Sequence, residues 1–143
     1  MECEIPSVNA NLEEQKQYFE ICKSIAVLGC SPDDSKASNR VAKYLRDVGY
    51  KMIPVYPKYD EILGQKVFRS LADIDEPVDM VVVFRKPAAL DAIADAVIAR
   101  GDVKVYWTQL GLVNNKAAEK VKEAGIAVVQ NHCAMVQHRA IFN

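Results

Sequence analysis

The sequence lacks the features that mark membrane, secreted and metal-dependent proteins. No segment approaches the roughly 20 consecutive apolar residues that a membrane-spanning helix needs. The first residues are acidic and have no apolar core, so we expect no signal peptide. The four cysteines (Cys3, Cys22, Cys30 and Cys133) show neither a Cys-x-x-Cys pair nor a zinc spacing. No carboxylate cluster joins the two histidines, His132 and His138, so we expect no metal site. Without a signal peptide, the scattered cysteines are expected to be reduced thiols in a cytoplasmic protein.

An excess of charge of one sign is also missing. The chain has 18 Lys and Arg against 19 Asp and Glu, which gives a formal net charge of −1. Because a surface that binds nucleic acid or an anionic membrane usually carries a positive excess, we expect neither partner. The 143 residues are 50% apolar and 26% charged, a balance typical of one globular domain with its own core.

The sequence does contain short apolar runs that alternate with amphipathic segments. The runs predict five strands, most of them buried on both faces, at 25–28, 50–56, 78–84, 103–107 and 126–129. One helix is predicted before the first strand, with Asn11 as its cap, and others between the strands, with Ser38 and Asn114 as caps and Pro87 in a first turn. A short helix is also predicted near Ser70 and Asp73. This alternation predicts an α/β fold: a Rossmann-like, doubly wound, five-stranded, mainly parallel sheet with helices on both faces.

The predicted elements divide the chain into two parts. Residues 1–22 are expected to form an arm, loose over its first ten residues, and a helix packed on the domain. Residues 23–143 are expected to form the α/β domain itself. In such sheets ligands bind beyond the carboxyl ends of the strands, so the candidate site residues are those that follow each strand.

The ends of the first two strands suggest a phosphorylated ligand. Gly29, followed by Cys30 and Ser31, would let the backbone approach a phosphate, although a tight turn without a ligand explains this glycine equally well. The dinucleotide fingerprint is absent, because Ser31 stands where a second glycine is needed. After the second strand, Pro57-Lys58 replaces the acidic residue of an NAD site. A lysine there favours a phosphorylated adenosine, as in coenzyme A or NADP; the alternative is a solvated surface lysine.

The remaining strand ends offer groups for the rest of such a ligand. Arg85 and Lys86 suit a pyrophosphate, and Phe84 could pack against an adenine; the alternative is a buried Phe84 and two solvated charges. Gln109 and the turn at Gly111 could hydrogen-bond an amide-rich tail. His132 and Cys133 point to opposite faces of an extended chain, so they are badly placed to share a proton. Whether Cys30 or Cys133 reacts with a ligand thiol stays open.

In their order and spacing, several stretches resemble one known family. It comprises the small stand-alone CoA-binding proteins, whose fold is shared with the N-terminal domain of the succinyl-CoA synthetase α subunit. The resemblance runs from about Lys23 to the end, and its stretches are 25–31, 38–45, 49–50, 54–58, 62–64, 78–85, 107–111 and 124–129. The sequence departs from the family pattern at Tyr56, Thr108 and the Asn131-His132 pair.

The resemblance implies that coenzyme A or an acyl-CoA lies across the strand ends. Its phosphates would meet residues 29–31 together with Ser38, Asn39 and Arg40, and Lys58, next to Pro57, would hold the 3′-phosphate region. Phe84, Arg85 and Pro87 would flank the nucleotide, and residues 109–111 would border the pantetheine arm. The synthetase's catalytic histidine lies in a second domain absent from this sequence, so we expect binding without a reaction of its own. The alternative is an NADP-dependent oxidoreductase, and a homodimer or a protein partner stays open.

Overall fold

Five parallel strands form one sheet in the computed structural model of the chain, which describes residues 5–143. In chain order the strands are β1 (Ser24–Leu28), β2 (Lys51–Val55), β3 (Glu61–Ile62), β4 (Gln65–Lys66), β5 (Met80–Val83), β6 (Val105–Thr108) and β7 (Ala127–Val129). The short β3 and β4 pair as an antiparallel hairpin, which the sequence did not reveal. Each predicted strand is present, with ends that differ by a residue or two. Cys3 lies outside the described residues.

The order of the strands reverses beside β1. Across the sheet the order is β2-β1-β5-β6-β7, and every neighbouring pair is parallel. The chain therefore winds outward in both directions from the β1–β5 boundary, as in doubly wound folds. Beyond β2, a single parallel bridge joins Val55 to Phe68, where a dinucleotide-binding fold has its third strand. The predicted fold class is confirmed.

Helices cover both faces of the sheet. In the described residues they are α1 (Leu12–Ile21), α2 (Ala37–Asp47), α3 (Leu90–Arg100), α4 (Asn115–Glu123) and α5 (Ala134–Phe142). One core cluster contains side chains of α3 and α4, and the other contains those of α1, α2 and α5. Alternate residues of β1 enter opposite clusters, which explains its unbroken apolar run. No helix of the described chain combines the length and the apolarity needed to cross a membrane.

Two of the three predicted asparagine and serine caps are confirmed. Asn11 accepts the N–H of Glu14 at 2.8 Å, and the Glu14 side chain accepts the N–H of Asn11 at 2.9 Å, a complete capping box. Asn114 caps α4 by accepting the N–H of Ala117. The Ser38 cap is wrong, because α2 begins at Ala37 and Ser38 lies within its first turn.

Two further local expectations also needed correction. The short helix expected near Ser70 and Asp73 is present as a 3₁₀ turn over residues 71–73, but the capping pair is not, because Ser70 makes no side-chain cap bond to it. The arm is not loose over residues 7–10, because Val8 and Ala10 are buried and Asn9 exchanges two hydrogen bonds with Gln130. These contacts tie the arm to the strand end after β7.

Candidate functional site

The reversal in strand order opens a crevice beyond the carboxyl ends of β1 and β5. Gly29 follows β1 with a φ of +84°, and a Cβ placed there would lie 2.3 Å from the carbonyl oxygen of Phe84. The Phe84 N–H donates to Leu28 at 2.8 Å, and the Gly29 N–H donates to Val55 at 2.9 Å. A glycine is therefore required here by the close approach of two backbones.

The loop after β1 is shaped by the first turn of α2. The Ser31 N–H donates to Ser38 Oγ at 3.0 Å, and Asn39 Nδ2 donates to the Ser31 carbonyl at 2.9 Å. Arg40 Nη1 donates to the carbonyl of Ser35 at 2.6 Å, while the rest of its side chain is exposed. Because Ser38 and Asn39 are buried and bonded to the loop, they support it; their contact with phosphate stays a prediction.

The amino end of α2 is open. Its N-cap residue, Lys36, makes no side-chain cap bond, and no acidic residue stands in the first turn. In contrast, α1 has a capping box and two acidic residues there. The free N–H groups and the dipole of such a helix end attract anions. One carboxylate, Asp33, lies in the loop before the helix, where hydrogen bonds from Ser35 hold its pKa below the ordinary value.

An apolar cleft of about 260 Å³ lies on the β2 side of the crevice. We call it the β2-side cleft. Its walls are mainly aliphatic, with three polar side chains among them; the lining residues are Leu28, Val55, Arg69, Ser70, Leu71, Arg85, Ala89, Ala92, Ile93 and Ala96. Ala92 and Ala96 of α3 contribute small apolar side chains to the wall. Pro87 lies nearby, at the start of the exposed 3₁₀ turn that precedes α3.

Arg69 braces the turn that carries Lys58. Its guanidinium donates to the carbonyls of Tyr59 at 2.7 Å and Tyr56 at 3.4 Å. Lys58 itself is exposed, like Pro57, and its ammonium has no hydrogen bond or ion pair in the described chain. Arg69 and Ser70 were not among the residues predicted from the sequence, because the backbone bridge at Phe68 that positions them leaves no local pattern.

A second cleft, of about 370 Å³, lies on the other side of the crevice. We call it the β6-side cleft; it is lined by Ala37, Val41, Phe84, Arg85, Gln109, Leu110, Leu112 and Cys133. Arg85 lines both clefts, and its exposed side chain has no hydrogen bond or ion pair within residues 5–143. One unpaired cation thus stands between two cavities.

Gln109 lines the β6-side cleft and carries a buried donor without a partner in the described chain. The residue is 4% exposed; its Oε1 accepts the N–H of Ala134 at 3.4 Å, but its buried Nε2 has no partner in the described chain. Leaving a buried N–H unpaired costs roughly 1–3 kcal/mol, so such groups are rare. The neighbouring Gly111 is exposed, and its N–H already donates to Asn131.

The thiols near the crevice differ in access. Cys30 is fully buried in the core of the α2 side, and burial raises its pKa to about 12. Its side chain is therefore closed to a ligand. Cys133, the N-cap residue of α5, is only partly buried and lines the β6-side cleft. The structure thus separates two cysteines that the sequence left equivalent.

Comparison with known proteins identifies the relatives of the chain. A family model described as a CoA binding domain matches residues 23–139. The uncharacterized protein YneT of Bacillus subtilis (strain 168) is 40% identical over 130 residues, which are 91% of this chain and 96% of the relative. A solved hypothetical protein from Pyrococcus horikoshii OT3 has a TM-score of 0.90 at 35% identity and covers 100% of both chains.

A more distant relative is much longer. The acetate–CoA ligase (ADP-forming) of Methanocaldococcus jannaschii is 25% identical over 132 residues, which are 87% of this chain and 19% of the ligase. The similarity therefore concerns one part of that enzyme.

Proposed function

The chain belongs to the CoA-binding domain family, as its sequence predicted, and we propose that it binds coenzyme A or an acyl-CoA beyond the strand ends. The observation that carries the proposal is the pair of clefts that share the unpaired Arg85. Coenzyme A has a matching layout: a flat base at one end, a diphosphate in the middle and an amide-rich arm at the other end.

The β2-side cleft suits the adenosine half of the ligand. Its aliphatic and alanine-rich walls offer apolar surface to the faces of an adenine. Lys58 lies in the adjoining turn, and its ammonium has no partner in the described chain. Arg69 stabilises this turn by donating hydrogen bonds to the carbonyls of Tyr56 and Tyr59. A free cation at this strand end favours the 3′-phosphate that distinguishes coenzyme A from dephospho-CoA.

The groups between the clefts suit the diphosphate. The loop at Gly29 lets the backbone approach, the open end of α2 offers N–H groups, and Arg85 supplies a positive charge without a competing carboxylate. The Arg85 side chain lies close to Gly29, and Arg85 lines the β6-side cleft together with Ala37 of α2.

The β6-side cleft suits the pantetheine arm. The arm contains two amides, whose carbonyl oxygens can accept a hydrogen bond from the unpaired Nε2 of Gln109. Binding would then remove the cost of a buried donor without an acceptor. The apolar side chains around Gln109, including Val41 and Leu112, would pack against the methylene groups of the arm.

We propose binding without catalysis by this chain alone, in a cytoplasm where thiols stay reduced. No residue of the crevice pairs a nucleophile with a base in the described chain: Cys30 is closed, and His132 and Cys133 are neighbours along the backbone. The activity of the acetate–CoA ligase is not transferred, since this chain matches 19% of that enzyme.

Calorimetric titration with coenzyme A, dephospho-CoA, NADP and NAD tests the proposal. We expect coenzyme A to bind more tightly than dephospho-CoA, and Lys58→Ala to abolish this preference. Loss of one charge-assisted phosphate contact corresponds to roughly 1.5–3 kcal/mol, or about tenfold or more in affinity.

Lys122→Ala is the matched control, because Lys122 is exposed in the last turn of α4, just before β7 begins and therefore at the opposite end of the parallel strands from the crevice. Its titration curves should equal those of the wild type. Equal affinity for coenzyme A and dephospho-CoA would contradict the role of Lys58. Tighter binding of NADP than of coenzyme A would favour the oxidoreductase alternative.

A further inference from the structure

Cys133 is the thiol that borders the β6-side cleft. It is partly exposed and serves as the N-cap residue of the nine-residue helix α5, where its side chain makes no capping hydrogen bond. Leu110 lines the same cleft and is 72% exposed. A sulfhydryl is thus placed in the wall of a cavity that opens to solvent.

A second observation indicates that this cavity takes a ligand. The buried Nε2 of Gln109 lacks an acceptor in the described residues, and Gln109 lines the same cleft as Cys133. The two positions are directly linked, since Gln109 Oε1 accepts the N–H of Ala134, the residue after Cys133. A ligand whose amide carbonyl reaches Gln109 therefore passes close to the thiol.

We propose that Cys133 is a covalent attachment site, at which the protein forms a mixed disulfide with coenzyme A by exchange with CoA disulfide. This inference rests on the proposed function, because the pantetheine arm must occupy the β6-side cleft. The amide of the arm next to its thiol is the group that Gln109 would hold. The sulfur at the end of the arm then lies within the reach of Cys133.

The exchange needs no separate oxidant. The Cys133 thiolate attacks one sulfur of CoA disulfide, a bond forms between Cys133 Sγ and that sulfur, and the sulfur–sulfur bond of CoA disulfide breaks. The second coenzyme A leaves as a thiolate and takes up the proton that Cys133 lost. One disulfide is consumed and one is formed, so the electrons balance.

The other described cysteines are poor competitors. Cys22 and Cys30 are 3% and 0% exposed, and burial raises the pKa of each thiol to about 12. A buried thiol of this kind neither ionises near neutral pH nor admits a disulfide. The modification is therefore expected to be selective for Cys133 over both.

Mass spectrometry of the full chain after incubation with CoA disulfide tests the inference. Peptide mapping separates the four cysteines, and cystamine serves as a small disulfide that lacks the nucleotide. We expect the adduct on Cys133, formed about tenfold or more faster than with cystamine, because binding makes the attack effectively intramolecular. Gln109→Met should slow the reaction with CoA disulfide far more than the reaction with cystamine.

Cys133→Ser separates attachment from binding, since serine is well accepted at an N-cap. This variant should form no adduct but should still bind reduced coenzyme A in calorimetry. If coenzyme A binds but Cys133 stays unmodified, or reacts no faster than with cystamine, the inference is overturned while the proposed function stands. If neither protein binds coenzyme A, the proposed function fails and the inference with it.

Discussion

At the scale of single residues, Gly29 and Gly101 have nearly the same backbone but different surroundings. Their φ values are +84° and +79°. A Cβ at Gly29 would meet the Phe84 carbonyl at 2.3 Å, whereas a Cβ at Gly101 would meet nothing within 4 Å. We expect Gly101→Ala to cost roughly 1–2 kcal/mol from its left-handed conformation alone. Gly29→Ala should lose roughly 1–3 kcal/mol more from overpacking.

Urea denaturation of both variants, compared with the wild type, measures these losses as shifts of the unfolding midpoint. The difference between the two variants isolates the close approach of the β1 and β5 loops. Equal losses would mean that Gly29 is needed only for its φ angle, and that the structure accommodates a Cβ beside the Phe84 carbonyl.

At the scale of elements, the packing of α1, α2 and α5 is centred on His138. Its ring lies 5.0 Å from that of Phe19 and 4.6 Å from that of Phe142, and the Tyr44 hydroxyl lies 2.6 Å from its Nδ1. Burial lowers the pKa of this histidine below its ordinary value of 6.5. The unfolded chain therefore binds the proton more tightly, and protonation favours unfolding.

The consequence is a stability that is complete above pH 6.5 and decreases as the pH falls below that value. In thermal unfolding we expect the wild type to lose more stability between about pH 7.5 and 5.5 than His138→Gln, because glutamine does not titrate there. His132→Gln is the control, since it removes the other histidine and leaves the ring cluster intact. Parallel pH curves for the wild type and His138→Gln would contradict this account.

At the scale of the whole molecule, the proposed site consists of two clefts that meet at Arg85. If each cleft takes one half of coenzyme A, adenosine 3′,5′-bisphosphate and pantetheine should bind at the same time. Each should compete with coenzyme A and bind more weakly than it, because linking the halves makes the second contact intramolecular. Competition calorimetry measures this directly.

The variants assign each fragment to its cleft. Lys58→Ala should weaken only the bisphosphate, and Gln109→Met should weaken only pantetheine. Mutual exclusion of the two fragments would show that they share one cavity, in which case the two-cleft arrangement is not the basis of recognition.

Short-range signals in the sequence were enough to predict the strands, two helix starts and the fold class. The apolar runs predicted five buried strands, and Asn11 and Asn114 predicted two helix starts, because periodicity and capping depend on neighbours within a few residues. The alternation of strands with helices predicted the fold class, and the order and spacing of the matching stretches predicted the family. The residues expected to contact coenzyme A stay predictions that the titrations test.

The tertiary structure decided the features that depend on distant segments. Strand order, and with it the crevice between β1 and β5, follows from pairing across the sheet. Arg69 is positioned at the site by the single backbone bridge between Val55 and its neighbour Phe68. Ser38 accepts a hydrogen bond from the loop after β1 instead of capping α2. Gln109 and Cys133 share one cleft while Cys30 is closed in the core. The burial of a side chain and the pairing of strands depend on residues far apart in the chain, so a local sequence pattern does not predict them.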